Sequence, residues 1–152
     1  MKRRTLLQHA MLGLLLPLGA RAAARTRVEV YKTPTCGCCH EWVAHLEKNG
    51  FEVVTHDVQS TAPWRARFGV PQELGSCHTA VVEGYALEGH VPAEDVRRLL
   101  AERPKARGLA VPGMPAGSPG MENGGTRRDA FDVVLFADDG VRKVYRRYPA
   151  GA

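Results

Sequence analysis

Val28-Glu29-Val30-Tyr31-Lys32-Thr33-Pro34-Thr35-Cys36-Gly37-Cys38-Cys39 changes character twice along its length. The first four residues are a short β-type run. Thr33-Pro34-Thr35 then breaks it, because proline has no N–H to give to a ladder and disfavours helix in the residue before it. Beyond the cysteines, Trp42, Val43 and Leu46 recur at helical spacing, Glu41, Glu47 and Lys48 fall on more polar faces, and Asn49-Gly50 supplies a left-handed stop. The spacing predicts an amphipathic helix of about three turns running on from Cys39. The cysteine cluster therefore sits where a strand hands over to a helix.

Downstream, residues 51–58 return to β character through Val53, Val54 and Val58. Ser60 is predicted to cap a short helix that carries Trp64 and Phe68 and ends at Gly69. Thr79-Ala80-Val81-Val82 and Tyr85-Ala86-Leu87-Glu88 read as two strands joined at Glu83-Gly84. Residues 92–102 read as a helix, with Pro92 near its first turn and Val96, Leu99 and Leu100 on its apolar side. The order β-α-β-α-β-β-α, with cysteines between the first strand and the first helix, is that of a thioredoxin-like α/β domain. Residues 104–125 hold six glycines and four prolines and are read as a loop, since they are too poor in apolar groups to form a core. Two last β-type runs, 131–136 and 141–148, are separated by Asp138-Asp139-Gly140 and predict a C-terminal β-hairpin beside the main sheet. The fold class expected is α/β: a thioredoxin-like domain with a C-terminal β-hairpin and a Gly/Pro/Met loop.

The chain has 152 residues, enough for one domain and too few for a second full one. Its formal charge of +5 is concentrated at the start, because Lys2, Arg3, Arg4 and Arg21 fall in the first 24 residues, where no acid occurs. The remainder carries 17 basic and 16 acidic residues, which gives it no electrostatic reason to seek nucleic acid or an anionic membrane. Lys2-Arg3-Arg4, the apolar run over residues 10–20 and the small residues Ala20-Arg21-Ala22-Ala23-Ala24 have the layout of a secretory signal. The run is too short to span a bilayer, for which about 20 residues are needed. The division expected is a signal peptide over 1–24, exported by the Sec or the twin-arginine route, and a periplasmic thioredoxin-like domain over 25–152. No stable membrane insertion is expected after cleavage.

Export bears on the four cysteines, since thiols outside the cytosol become disulfides unless a metal or a redox partner shields them. Cys36 and Cys39 form a C-x-x-C pair at a helix start, where free N–H groups and the macrodipole favour a thiolate. Cys38 alters that chemistry, because three thiols at i, i+2 and i+3 cannot all pair with one another. The remaining cysteine, Cys77, precedes the strand at Thr79, and the layout puts it in the loop facing the C-x-x-C, so four thiols can converge. Two ordinary disulfides are a competing reading, but each connectivity needs a pair inside Cys36-Gly37-Cys38-Cys39, and such short loops stabilise little. Structural zinc is another, but it prefers two separated pairs to three crowded thiols and one distant thiol. Crowded thiolates suit bridging between several soft ions, which points to Cu(I). Met114 and Met121 in the loop add thioethers, also soft ligands, although methionines in a loop can equally serve as core cover. His78 adjoins Cys77 and His40 adjoins Cys39, so both are candidates for ligation or proton transfer. His45, His56 and His90 are read as polar surface or satisfied structural residues, and His9 leaves with the signal.

Thr33-Pro34-Thr35-Cys36-Gly37-Cys38-Cys39, Ser76-Cys77-His78-Thr79, Glu88-Gly89-His90-Val91-Pro92 and the run from Gly108-Leu109-Ala110 through Gly120-Met121-Glu122 together resemble the CopG-type periplasmic copper-resistance family. The likeness spans about Val28 to Tyr148. It implies a thioredoxin-like fold that binds copper as a cysteine-bridged multinuclear cluster, with redox activity between Cu(I) and Cu(II). By position, the ligands it implies are Cys36, Cys38, Cys39 and Cys77, to which His78, Met114 and Met121 are added, and Cys36 and Cys39 are the redox pair. The expected partners are copper ions and other periplasmic copper-handling proteins. The alternative function is a thiol-disulfide oxidoreductase in which Cys36 attacks and Cys39 resolves. Cys38 and the methionine loop argue against it, since neither helps dithiol exchange.

Overall fold

The computed structural model describes residues 24–122 and 124–151, so the region read as a signal peptide lies, but for Ala24, outside the described residues. The elements run β1 (Arg27–Lys32), α1 (Gly37–Lys48), β2 (Glu52–Asp57), α2 (Ala62–Arg67), a 3₁₀ turn (Gln72–Leu74), β3 (Thr79–Val82), β4 (Tyr85–Glu88), α3 (Ala93–Glu102), β5 (Gly108–Ala110), β6 (Phe131–Phe136) and β7 (Arg142–Tyr148). All seven strands belong to one mixed sheet in the order β2-β1-β3-β4-β5-β6-β7. β1 pairs parallel with β2 and antiparallel with β3, β3 antiparallel with β4, and β6 antiparallel with β7. Among the described residues no helix is long and apolar enough to cross a membrane.

β5 corrects the reading of residues 104–125 as loop throughout. Three residues are too few to show a period, yet Gly108, Leu109 and Ala110 are all buried between β4, to which β5 is parallel, and β6, to which it is antiparallel. Gly108 makes the pairing feasible, because a Cβ there would lie 1.8 Å from the Ala86 carbonyl oxygen. β5 thus joins the last two strands to the rest of the sheet. A smaller correction concerns α2, whose N-cap is Thr61 rather than Ser60. The Ser60 hydroxyl still accepts the Ala62 N–H, at 3.3 Å.

The core follows from the two periods. Val28 and Val30 of β1, Ala80 and Val82 of β3, and Leu87 of β4 meet Trp42 and Leu46 of α1 and Val96 and Leu99 of α3 in a single cluster. Each large aliphatic side chain buried there contributes roughly 1.5–3 kcal/mol. Trp42 also donates its indole N–H to the Val91 carbonyl at 2.9 Å, which ties α1 to the segment leading into α3. β7 is fastened to α3 by Tyr148, whose hydroxyl lies 2.8 Å from a Glu94 carboxylate oxygen and 2.7 Å from one of the buried Asp95. α1 is therefore anchored over its second and third turns. Its first turn, with the cysteines, is free to serve a site.

Candidate metal centre

Cys36 is the N-cap of α1, with extended backbone and no side-chain hydrogen bond to the helix. Cys38 and Cys39 fall in the first turn, so the helix begins ahead of the position from which the apolar spacing could be read. Cys36 and Cys39 are joined in a disulfide, and Cys38 and Cys77 are free. Cys38 Sγ lies 3.6 Å from Cys36 Sγ and 3.7 Å from Cys77 Sγ. The four sulfurs all lie within 4.8 Å of one another, although Cys39 and Cys77 are 38 positions apart in the chain. The strand order brings this about: β3 lies beside β1, so the residues entering β3 face those leaving β1.

A second group of donors shares Cys77. Its sulfur is 3.3 Å from His78 Nδ1 and 3.1 Å from His90 Nε2, and both histidines are fully buried. His90 Nδ1 lies 2.8 Å from the Pro119 carbonyl oxygen. A carbonyl only accepts, so Nδ1 carries the proton and Nε2 turns its lone pair to the Cys77 sulfur, the arrangement of a histidine poised for a metal. His78 Nε2 is buried and has no hydrogen-bond partner among the described residues. Burial, and after it the neighbouring His90, lowers the His78 pKa to about 3, so the ring stays neutral at physiological pH. Burial likewise lowers that of His90. The Cys77 thiol is pushed up to about 12, first by burial and then by the adjacent Cys38. A soft cation bound there would displace its proton.

His90, read as polar surface or a satisfied structural histidine, is buried and hydrogen-bonded, and it also stands among the donors around Cys77. The register carried the information: the Glu83-Gly84 turn, with φ of 45° and 88°, pairs Thr79 with Glu88. Two steps further along each strand this sets Cys77 opposite His90. The close approach is permitted by Gly89, whose N–H donates to the His78 carbonyl at 3.0 Å. His40, at the exposed edge of α1, belongs to neither donor group.

The Gly/Pro/Met loop closes over this cluster from two sides. The Gly113 N–H donates to the Gly75 carbonyl at 3.1 Å, and the Ser76 hydroxyl donates to the Gly113 carbonyl at 2.5 Å. At the other end Pro119 receives His90, and a Cβ on Gly120 would come within 2.8 Å of both the Cys38 carbonyl oxygen and the Trp42 nitrogen. Met114 follows the first contact and is 55% exposed, whereas Met121 follows the second and is partly buried.

A family model described as "Protein of unknown function, DUF411" matches residues 74–121, which takes in Cys77, His78, His90 and both loop methionines but not the cysteines of α1. No curated protein matches the chain. Two solved structures, named Copper resistance protein copG, Form 2 and Form 1, are each 46% identical to it with a TM-score of 0.78. They align with 83% of this chain and with 100% and 99% of their own lengths. Identity at that level over the whole of those chains bears out the resemblance carried by the cysteine and methionine motifs, and this chain belongs to the CopG family of copper resistance proteins.

Proposed function

We propose that the mature chain is an exported, periplasmic copper-binding protein of copper resistance that holds more than one Cu(I) on the thiolates of Cys36, Cys38, Cys39 and Cys77. The convergence of four sulfurs within 4.8 Å carries this reading. Such crowding favours bridging thiolates, and the buried, neutral imidazoles of His78 and His90 add nitrogen donors at one edge. Met114 and Met121, on the loop that contacts Gly75, Ser76 and His90, are assigned as further thioether ligands, Met114 being the more exposed of the two. A domain organisation of leader over 1–24 and metal-binding domain over 25–152 fits this role. The order β2-β1-β3-β4, with β1 and β2 parallel and the cysteines at the N-terminus of α1, supports a thioredoxin-like core extended by β5 and a terminal hairpin.

The Cys36–Cys39 disulfide supports a further step, a change of copper oxidation state. Starting from the dithiolate, each sulfur gives up one electron, the S–S bond forms, two Cu(II) become two Cu(I), and any thiol protons pass to water. The disulfide form keeps Cys38 and Cys77 as thiols, and the reduced form offers all four. Adding two equivalents of Cu(II) anaerobically to the fully reduced, metal-free protein is therefore expected to lower the free-thiol count by two, as read by alkylation and mass spectrometry after the copper is chelated. The disulfide should map to Cys36 and Cys39. An unchanged count would leave a binding role without redox chemistry. Exchange with protein disulfides is the competing function, and the close approach of Cys38 and Cys77 weighs against it, since an attacking and a resolving thiol need no third and fourth sulfur beside them.

A further inference from the structure

The turn that carries Cys77 and His78 is gripped from behind by one carboxylate. Glu88 is fully buried. Its Oε1 accepts the Ser76 N–H at 2.7 Å and the Arg65 Nε–H at 2.8 Å, and its Oε2 accepts the Thr79 hydroxyl at 2.6 Å. Ser76 and Thr79 are the residues on either side of Cys77-His78, so Glu88 spans the pair like a staple. Arg65, reaching in from α2, completes the frame by donating through Nη2 to the Ser76 carbonyl at 2.6 Å. Both main-chain polar groups of Ser76 are thus held by the Glu88–Arg65 ion pair, while its side chain secures Gly113 of the loop.

A buried ion pair is a poor device for stability alone, because desolvating both charges offsets much of their attraction and an apolar replacement is often as stable. What such a pair does well is fix geometry. Here every hydrogen bond that the Glu88 carboxylate accepts comes from the segment bearing Cys77 or from the arginine that holds the same segment. The Cys77 sulfur has to meet Cys38, His78 and His90 at once, at 3.7, 3.3 and 3.1 Å, and a site of this kind tolerates misplacement of only about 0.5 Å. We propose that Glu88 and Arg65 are positioning residues of the metal centre, which fix the Cys77 sulfur through Ser76 and Thr79 without themselves touching the metal. The effect on copper rests on the function proposed above; the placement of the sulfur does not.

Two variants test this with little change of volume. Arg65→Lys keeps a cation beside Glu88, but a single ammonium cannot reproduce the fork that reaches Glu88 and the Ser76 carbonyl together. Thr79→Val keeps the shape and removes one donor. Cu(I) affinity against a competing chelator, the ultraviolet thiolate-to-copper band, thermal unfolding, and the rate at which iodoacetamide alkylates Cys77 in metal-free protein are measured for each. We expect unchanged circular dichroism, Cu(I) affinity lowered by about 10–100-fold, a shifted thiolate band, and Cys77 alkylation faster by roughly tenfold as the turn opens more often. A lower unfolding temperature with affinity, band and alkylation rate as in the wild type would overturn the proposal and leave a purely structural ion pair. Should the wild type bind no Cu(I), the copper reading falls by itself, and the alkylation rate still decides whether Glu88 and Arg65 position the sulfur. If Arg65→Lys does not fold, Thr79→Val carries the same decision.

Discussion

Cys77→Ser is expected to keep the fold and lose most of its Cu(I) affinity, by more than the roughly 100-fold that removal of an outer-shell partner can cost. Cys77 is the hub of the centre: its sulfur lies 3.7 Å from Cys38 Sγ, 3.1 Å from His90 Nε2 and 3.3 Å from His78 Nδ1. A serine hydroxyl is a hard donor and stays protonated at neutral pH, so it cannot bridge soft ions as a thiolate does. The near-isosteric change leaves the core untouched, since Cys77 is only partly buried and lies outside the apolar clusters. Circular dichroism should therefore match the wild type. The same variant separates the two functions, because an oxidoreductase that attacks through Cys36 and resolves through Cys39 has no use for Cys77. A Cys77→Ser protein with full Cu(I) affinity would favour dithiol exchange over a copper centre.

Gly89→Ala is expected to cost roughly 2–4 kcal/mol of stability, from left-handed strain and overpacking together. Gly89 has φ of 68°, and an added Cβ would lie 2.5 Å from the Ser76 Oγ and 2.6 Å from the Val111 carbonyl oxygen. The Ser76 hydroxyl can rotate away, but the Ser76 Cβ, at 2.6 Å, cannot, and neither can the Val111 carbonyl, because its residue continues from β5 and its N–H donates to the Glu88 carbonyl at 3.0 Å. The displaced atoms belong to the frame that holds Cys77 and His90, so copper binding should weaken along with stability. Chemical denaturation of the metal-free protein checks the first effect, and a fall in the thermal midpoint of about 10 °C should accompany it. A loss below about 0.5 kcal/mol, the range of ordinary surface changes, would mean that the β4–α3 corner yields more readily than its backbone contacts indicate.

How far these features could be read from the sequence depended on how local their causes are. The strands Thr79–Val82 and Tyr85–Glu88 and the helix Ala93–Glu102 announce themselves through residue type, a turn dipeptide and apolar spacing, all within a few positions. β5 does not: its three residues show no period, and its place is set by β4 and β6 on either side. The three cysteines at the start of α1 are conspicuous because they are crowded in sequence, and Cys77 follows from the strand it precedes. The place of His90 beside Cys77 is not legible, because it depends on register, and a histidine between a glycine and a valine looks unremarkable until Thr79 is aligned with Glu88. The burial of Glu88 is illegible for another reason. At the end of a β-type run a glutamate reads as a strand terminus turned to solvent, and only the approach of Arg65 and Ser76 from distant segments makes its burial tolerable.

The central claim is that four converging thiolates form a site for several Cu(I) ions, and it is tested most directly by stoichiometry. The fully reduced mature protein is titrated with Cu(I) under anaerobic conditions against a chelator of known affinity, with metal and protein quantified in the same sample and zinc then added in equimolar amount. The account expects more than one Cu(I) per chain, bound cooperatively and retained in the presence of zinc, because bridging sulfur favours the softer ion. A single Cu(I) per chain, or its displacement by equimolar zinc, would contradict a thiolate-bridged copper centre.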